Sequence, residues 1–240
     1  MPKYTSLQET AYNYVRNKVL TGQLQPNVLY SETKMAAEIH ISRTPMKDAL
    51  VRLSQDRFID IIPSKGFCLH EMSEEDIWHT YQARTAVEGF CAMQLAQRRD
   101  EAEGQAAIRE IASCVADMGL FLEEKRGTDF LTELLDHDLQ FHQTLVDFAK
   151  NTELEQLFNT YHYRLYFFAL ESLRLEGRPE KAYQEHSRIL AAIQDPGDTL
   201  GIQAYLAIVH HMEVTRDIML SIMPGLDWQS SQNLRLSRRL

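Results

Sequence analysis

Cysteine is scarce in this 240-residue chain: only Cys68, Cys91 and Cys114 occur, widely spaced and without a CxxC pair. That excludes a disulfide framework and fits a reducing compartment. Glycine (10) and proline (7) are few, while 44% of residues are hydrophobic and 25% charged. Such a composition excludes collagen-like and broadly disordered chains and suits a globular protein. Internal repeats and low-complexity tracts are absent. The longest stretch free of charge, 199–212, is 14 residues, short of the about 18–20 apolar residues of a membrane-spanning helix. The opening residues Met1-Pro2-Lys3-Tyr4-Thr5 are polar and lack an apolar signal core. The expectation is a cytoplasmic protein with no membrane partner.

The net charge of −9 looks wrong for a nucleic-acid binder, but it hides a split. Residues 1–72 hold 9 Lys/Arg and 7 Asp/Glu, a net +2; the remainder holds 16 and 27, a net −11. Asymmetry of this kind points to two modules with different partners. The boundary is expected near residues 70–75, giving a module at 1–72, a second at 73–223 and a polar, frayed tail at 224–240.

Turn signals cut the first module into short pieces. Residues 7–21 have helical spacing and end at Gly22, and Gln25-Pro26-Asn27 is a turn. Ser31 reads as the N-cap of a short helix to about Ile39, and Ser42 as the cap of a third helix to about Asp56, with Pro45 tolerated in its first turn. Residues 58–62 and 67–70 have strand composition around the turn Pro63-Ser64-Lys65-Gly66. Helix, helix, turn, helix and hairpin is the pattern of a winged helix-turn-helix. Its second motif helix enters the major groove and reads bases near that helix's N-terminus. Arg43 there can fork onto a guanine edge or a phosphate. Ser42, Thr44 and Lys47 can reach phosphate or base edges, and Lys65 sits at the hairpin tip.

From Ser73 onward only helices are expected: one opened by Ser73-Glu74-Glu75-Asp76, then roughly 101–124, 128–149, 153–175, 179–194 and 199–222. Together they predict an antiparallel helical bundle, so the fold class is mainly α. On 128–149, Asp138 and His142 lie four residues apart within the apolar stripe of Leu131, Leu134, Leu135, Leu145 and Ala149. His186 falls in the stripe of Ala182, Ile189, Leu190 and Ile193, and His211 in that of Ala204, Ile208, Val214 and Ile218. A lone core histidine is more often satisfied by ordinary hydrogen bonds, and Asp138 with His142 alone reads equally as an ion pair. Three coincident inward sets favour a divalent metal: one Asp and three His suit zinc first, then nickel, manganese or iron. His210 adjoins His211 but projects with Leu206, Glu213 and Asp217, a more polar face. His137 and His162 read as surface or flank residues. Arg84 and Glu88 are four apart in an apolar stripe. They form either a structural ion pair or a site where Arg84 meets an effector carboxylate.

Residues 29–69, LYSETKMAAEIHISRTPMKDALVRLSQDRFIDIIPSKGFCL, closely resemble the GntR family of transcriptional regulators, in which SRTPVREAL precedes an "L..DGL" segment and a "P..GF.V" wing. The later residues resemble its FadR subfamily, with an all-helical (FCD) ligand-sensing domain; together the likeness spans about 7–222. The resemblance implies a homodimer that binds a palindromic operator in double-stranded DNA. It adds Thr33, Lys34 and Gly66 to the DNA-binding residues. Three departures stand out: Thr33-Lys34 and Lys47 where the family often has arginine, and His40 where glycine is usual in the turn. Lysine cannot make arginine's bidentate contact, whereas histidine tolerates φ > 0 better than most residues. The subfamily pattern D-x3-H, E-H, H-L-x-x-x-R is matched by Asp138…His142, Glu185-His186 and His211-Met212…Arg216. In members carrying it, the Asp and three His bind a divalent metal in the effector pocket. The likeness also favours Arg84 at the effector, and gives Asn151 a structural turn role.

The resulting expectation is a metabolite-responsive regulator. A small organic acid, a sugar acid or another carboxylate, coordinates the metal, pairs with Arg84 and alters operator binding. The rival reading is an enzyme, a metal-dependent hydrolase or lyase using the Asp/His site to activate water. No second acid–base group is evident for it, and it leaves the winged helix unexplained. A structural metal without an effector is the third reading.

Overall fold

A computed structural model describes residues 6–20, 23–25, 27–124 and 130–223. The predicted polar tail, Gly22 and Pro26 lie outside the described residues. Two compact units meet in sequence at Met72/Ser73.

The first unit runs α1 (Leu7–Leu20), α2 (Glu32–Glu38), α3 (Arg43–Gln55), β1 (Ile59–Ile62) and β2 (Gly66–Leu69). Helix α3 is its spine and packs against α1, α2 and β1. Met46, Ala49, Leu50 and Leu53 recur at helical spacing and are all buried, as are Val15 and Val19 of α1, Met35 of α2 and Phe58. Truncating the fully buried Leu53 to alanine would cost about 2–5 kcal/mol. Ser31 caps α2 by accepting from Lys34 N. Ser42 holds the extended N-cap backbone of α3, but its side chain makes no capping hydrogen bond, so the expected cap is positional and the hydroxyl stays uncommitted. Between α2 and α3, His40 adopts φ +56, the left-handed turn its sequence position required.

The hairpin pairs Ile59 with Leu69 and Ile62 with Gly66. Tyr30 joins its edge through Tyr30 N→Phe67 O (2.7 Å) and Phe67 N→Tyr30 O (3.0 Å). Gly66 has φ +133, and a Cβ there would stand 2.0 Å from the Tyr30 carbonyl oxygen. Glycine is therefore demanded by the backbone at this position.

The second unit comprises α4 (Glu74–Gln97), α5 (Ala102–Glu124), α6 (Phe130–Phe148), α7 (Thr152–Thr160), α8 (His162–Leu173), α9 (Arg178–Gln194) and α10 (Ile202–Ile222). Helix α10 packs along α4 and α5 along α6. Met118, Leu134, Leu135, Leu170, Leu173 and Ala182 form a buried cluster. Ser73 and Asp76 open α4 with a reciprocal capping box, a device whose N-cap half alone contributes about 1 kcal/mol. Asn151 accepts from Glu153 N and Leu154 N at the start of α7, the turn role expected of it.

The single helix expected over 153–175 is two. Tyr161 separates α7 from α8 while staying in the helical region, its N–H turning back to the Phe158 and Asn159 carbonyls. That tightened turn offsets the helices without glycine or proline, so nothing in the composition marked it. Helix α10 begins three residues later than expected. Gly201 is left-handed, and the buried Asp198 carboxylate accepts from Ile202 N (2.9 Å) and Gln203 N (2.7 Å). Among the described residues, no helix is long and apolar enough to cross a membrane.

Candidate metal centre and candidate DNA-reading surface

In the first unit, the residues singled out for DNA contact lie on the surface. Thr33, Lys34, Ser42, Arg43, Thr44, Lys47 and Lys65 are all exposed, and Gly66 is half-buried. Arg43 pairs with Glu32, which steadies the guanidinium beside the start of α3. Lys34, Lys47 and Lys65 form no ion pair among the described residues, leaving three cations available to phosphate. The Lys65 tip follows Ser64, which takes φ +61.

In the second unit, α6 carries Leu134, Leu135, Asp138, Phe141, His142 and Leu145 on one buried face. Helices α9 and α10 add His186 and His211, exposed by 0% and 3%. One nitrogen from each of His142, His186 and His211 falls in a group whose members all lie within 4.8 Å of one another. His186 Nε2 is 3.2 Å from His142 Nε2 and 3.2 Å from Asp138 Oδ1. Asp138 is not a member of that group of three and touches it through His186. Ligands of a tetrahedral ion with bonds of about 2.0–2.1 Å sit about 3.3–3.4 Å apart, close to this spacing. His210 is exposed and points away. His137 is half-buried beside Phe121 and Asp117. The His162 side chain lies outside the described residues.

The far nitrogens explain how the rings are aimed. His186 Nδ1 donates to Ala182 O at 2.7 Å, which turns its Nε2 toward His142. His211 Nδ1 meets Glu185 Oε2 at 2.7 Å. His142 Nδ1 is 2.5 Å from Glu88 Oε2, but out of line, so it counts as an ion-pair contact and not as a hydrogen bond. Each imidazole therefore has an oxygen behind it; at His186 and His211 it is the hydrogen bond that fixes tautomer and orientation in metal sites, and at His142 a close contact. The electron-rich atoms facing one another at 3.2 Å need a proton or a cation among them, and the donor set fits a divalent ion.

Arginines hold both carboxylates. Arg178 donates to Glu185 through Nη1 (2.6 Å) and Nη2 (2.9 Å), and also to Ser172 and Thr215. Arg84 donates to Glu88 through Nε at 2.7 Å, with Nη2 at 3.4 Å. The expected bidentate edge of Arg84 is thus taken from one side by Glu88, and the outer Nη1 edge is what remains for a ligand. Burial pushes the Asp138 carboxyl up, but His186, His142, His211 and Arg84 outweigh it and hold it below its ordinary value. Burial, with Arg84 next, holds His142 well below the usual imidazole value. Burial also lowers His211 to about 4, against the pull of Glu185. Burial alone would raise Glu185, yet hydrogen bonds from His211 and Arg178 bring it to about 2. Neutral His142 and His211 beside ionised Asp138 and Glu185 are the protonation states a metal requires. A surface cavity of about 330 Å³ lined by Arg99, Asp100, Gln105, Ile108, Arg109 and Gln194 shares no residue with this centre.

Residues 7–69 match the gntR family of bacterial regulatory proteins, and residues 79–213 match the FCD domain. The chain belongs to the GntR family. It is 23% identical over 200 residues to an uncharacterized HTH-type transcriptional regulator, YdhC, of Bacillus subtilis, covering 83% of this chain and 86% of that one. It is 24% identical over 176 residues to the gluconate operon transcriptional repressor of Bacillus licheniformis, covering 73% and 68%. The solved structure of McbR/YncC from Escherichia coli shares the fold, with a TM-score of 0.59 at 15% identity over 92% of this chain and 98% of that one. This GntR protein is a DNA-binding transcriptional regulator with an FCD domain, and the enzyme reading falls. GntR regulators bind operator DNA and usually act as dimers, and FCD domains commonly bind metal.

Sequence reasoning on this GntR chain missed Arg178, Glu185 as the support of His211, and Glu88 behind His142. Glu185 adjoins His186, and Arg178 precedes it by seven residues on the same helical face, a spacing that was legible. The Glu88–His142 contact spans two helices and left no local signal.

Proposed function

We propose that this GntR regulator answers to a small organic acid, a sugar acid or another carboxylate, bound at a divalent metal in the FCD domain. Residues 1–72 are then the DNA-binding domain, 73–223 the effector and metal domain, and 224–240 a polar tail. Asp138, His142, His186 and His211 would hold the ion, zinc first, with nickel, manganese or iron as alternatives. Bound there, the ion supplies a Lewis-acidic point for a carboxylate oxygen. Arg84 takes the same carboxylate through its outer edge. The observation that carries this reading is the convergence of three buried imidazoles, each with an oxygen behind its Nδ1. A relative named for the gluconate operon adds support for a sugar acid.

The protein acts in the cytoplasm as a homodimer on a palindromic operator, one head per half-site. Thr33, Lys34, Ser42, Arg43, Thr44, Lys47, Lys65 and Gly66 meet the duplex. Lys47 acts as a point charge, so the bases read differ from those read by an arginine. The acid shifts operator binding only by its differential affinity for two arrangements of the dimer.

Elemental analysis of purified protein tests the metal, with a stoichiometric divalent ion expected. Footprinting with acids that raise Tm tests the switch. A footprint unchanged by every acid that binds eliminates the switch, and a chelator effect without any acid effect leaves a structural metal.

A further inference from the structure

Tyr81 lies on α4, three residues before Arg84 and seven before Glu88, on the same buried face. Its side chain is among the largest fully buried ones. The ring stacks on Phe168 at 5.9 Å and 19°, and the Arg84 guanidinium stands 5.7 Å from its centre. Its hydroxyl has no hydrogen-bond partner among the described residues. A buried unpaired hydroxyl carries a free-energy cost, and such groups need a reason to persist. The Arg84 guanidinium over its ring and the shared buried face with Arg84 and Glu88 put Tyr81 on the side of α4 that faces the centre described above. Burial pushes the phenol up, so it stays protonated and offers a donor.

We propose that the Tyr81 hydroxyl is a specificity-determining donor, reserved for an effector oxygen outside the carboxylate, and that the effector is a small hydroxy acid with a single carboxylate. The inference rests on the effector reading above and deepens it. The count of free charge argues for one carboxylate. Among the described residues, Arg178 is committed to Glu185, Ser172 and Thr215 and the buried Arg164 to Thr80, which leaves the outer edge of Arg84 and the metal as the positive groups. A neutral phenol then suits a neutral oxygen. A site that satisfies a buried polar group through its ligand rejects analogues lacking the matching atom.

Calorimetric titration of full-length, metal-loaded protein tests this with lactate against propionate, 3-hydroxybutyrate against butyrate, and gluconate against hexanoate. For at least one pair, the wild type binds the hydroxy member on the order of tenfold more tightly. Tyr81→Phe binds both members alike, keeps its metal by elemental analysis, and in the absence of acid has a Tm equal to or above the wild type's. A hydroxyl with a purely structural role would instead lower that Tm on removal. A preference that survives in Tyr81→Phe, no preference in the wild type, or a lowered acid-free Tm each overturns the proposal. If Arg84→Ala abolishes binding while Tyr81→Phe leaves the preference intact, only the Tyr81 role falls. If no acid binds the wild type, the effector reading falls with it.

Discussion

Arg43 in the winged head has a side chain 67% exposed and, among the described residues, a single ion-pair partner, Glu32. Arg178 in the helical unit is 4% exposed and reaches Glu185, Ser172 and Thr215. The same side chain thus stands in two opposite environments. A surface that reads DNA keeps its cations hydrated and uncommitted, since phosphate contacts draw on counterion release. A buried polar centre must pair its charges from within, because an unpaired buried charge costs several kcal/mol.

Matched substitutions should separate the two. Arg178→Ala leaves Glu185 buried and uncompensated and should destabilise the protein by about 3–5 kcal/mol, read as a lower urea midpoint. Arg43→Ala should change stability by no more than about 0.5 kcal/mol while weakening operator binding by about 1–3 kcal/mol, read by fluorescence anisotropy. Equal losses of stability in the two variants would erase the contrast.

The contrast also explains what was legible from the sequence. Helical periodicity placed α3 and α6 to within one or two residues, because apolar stripes and Ser or Asn caps are local signals. It put Asp138, His142, His186 and His211 on inward faces for the same reason. The break at Tyr161 was invisible, since 157–168 contains neither glycine nor proline. The support of His142 by Glu88 was invisible too, for it is a contact between helices. Ser42 shows the converse limit: the right residue stands at the right N-cap, yet its hydroxyl caps nothing.

Acid should expose the buried centre before the head. His211 is held at about 4 in the folded chain, against an ordinary value of 6.5. Between pH 6.5 and 4 the unfolded chain binds a proton that the folded chain does not, so stability falls as pH falls through that window. Glu185, held at about 2 against 4.5, adds a loss in the same direction below pH 4.5. Urea midpoints of chelator-treated protein should therefore decline from pH 7 to pH 4, and a flat profile would contradict neutral burial of His211. Because metal binding needs deprotonated ligands, occupancy should drop over the same range.

The smallest effect belongs to the turn of the head. His40 sits at φ +56 with its ring exposed, and its ring makes no hydrogen bond among the described residues. A non-glycine residue in the left-handed region costs about 1–2 kcal/mol, while glycine loses roughly 0.5–1 kcal/mol more conformational entropy on folding. His40→Gly should therefore raise stability by up to about 1 kcal/mol, with operator affinity unchanged because the backbone path between α2 and α3 is kept. Scanning calorimetry and anisotropy check the two halves separately. A drop in operator affinity at constant stability would mean that the exposed imidazole itself meets the duplex, making His40 one more surface group of the same kind as Lys34 and Lys47.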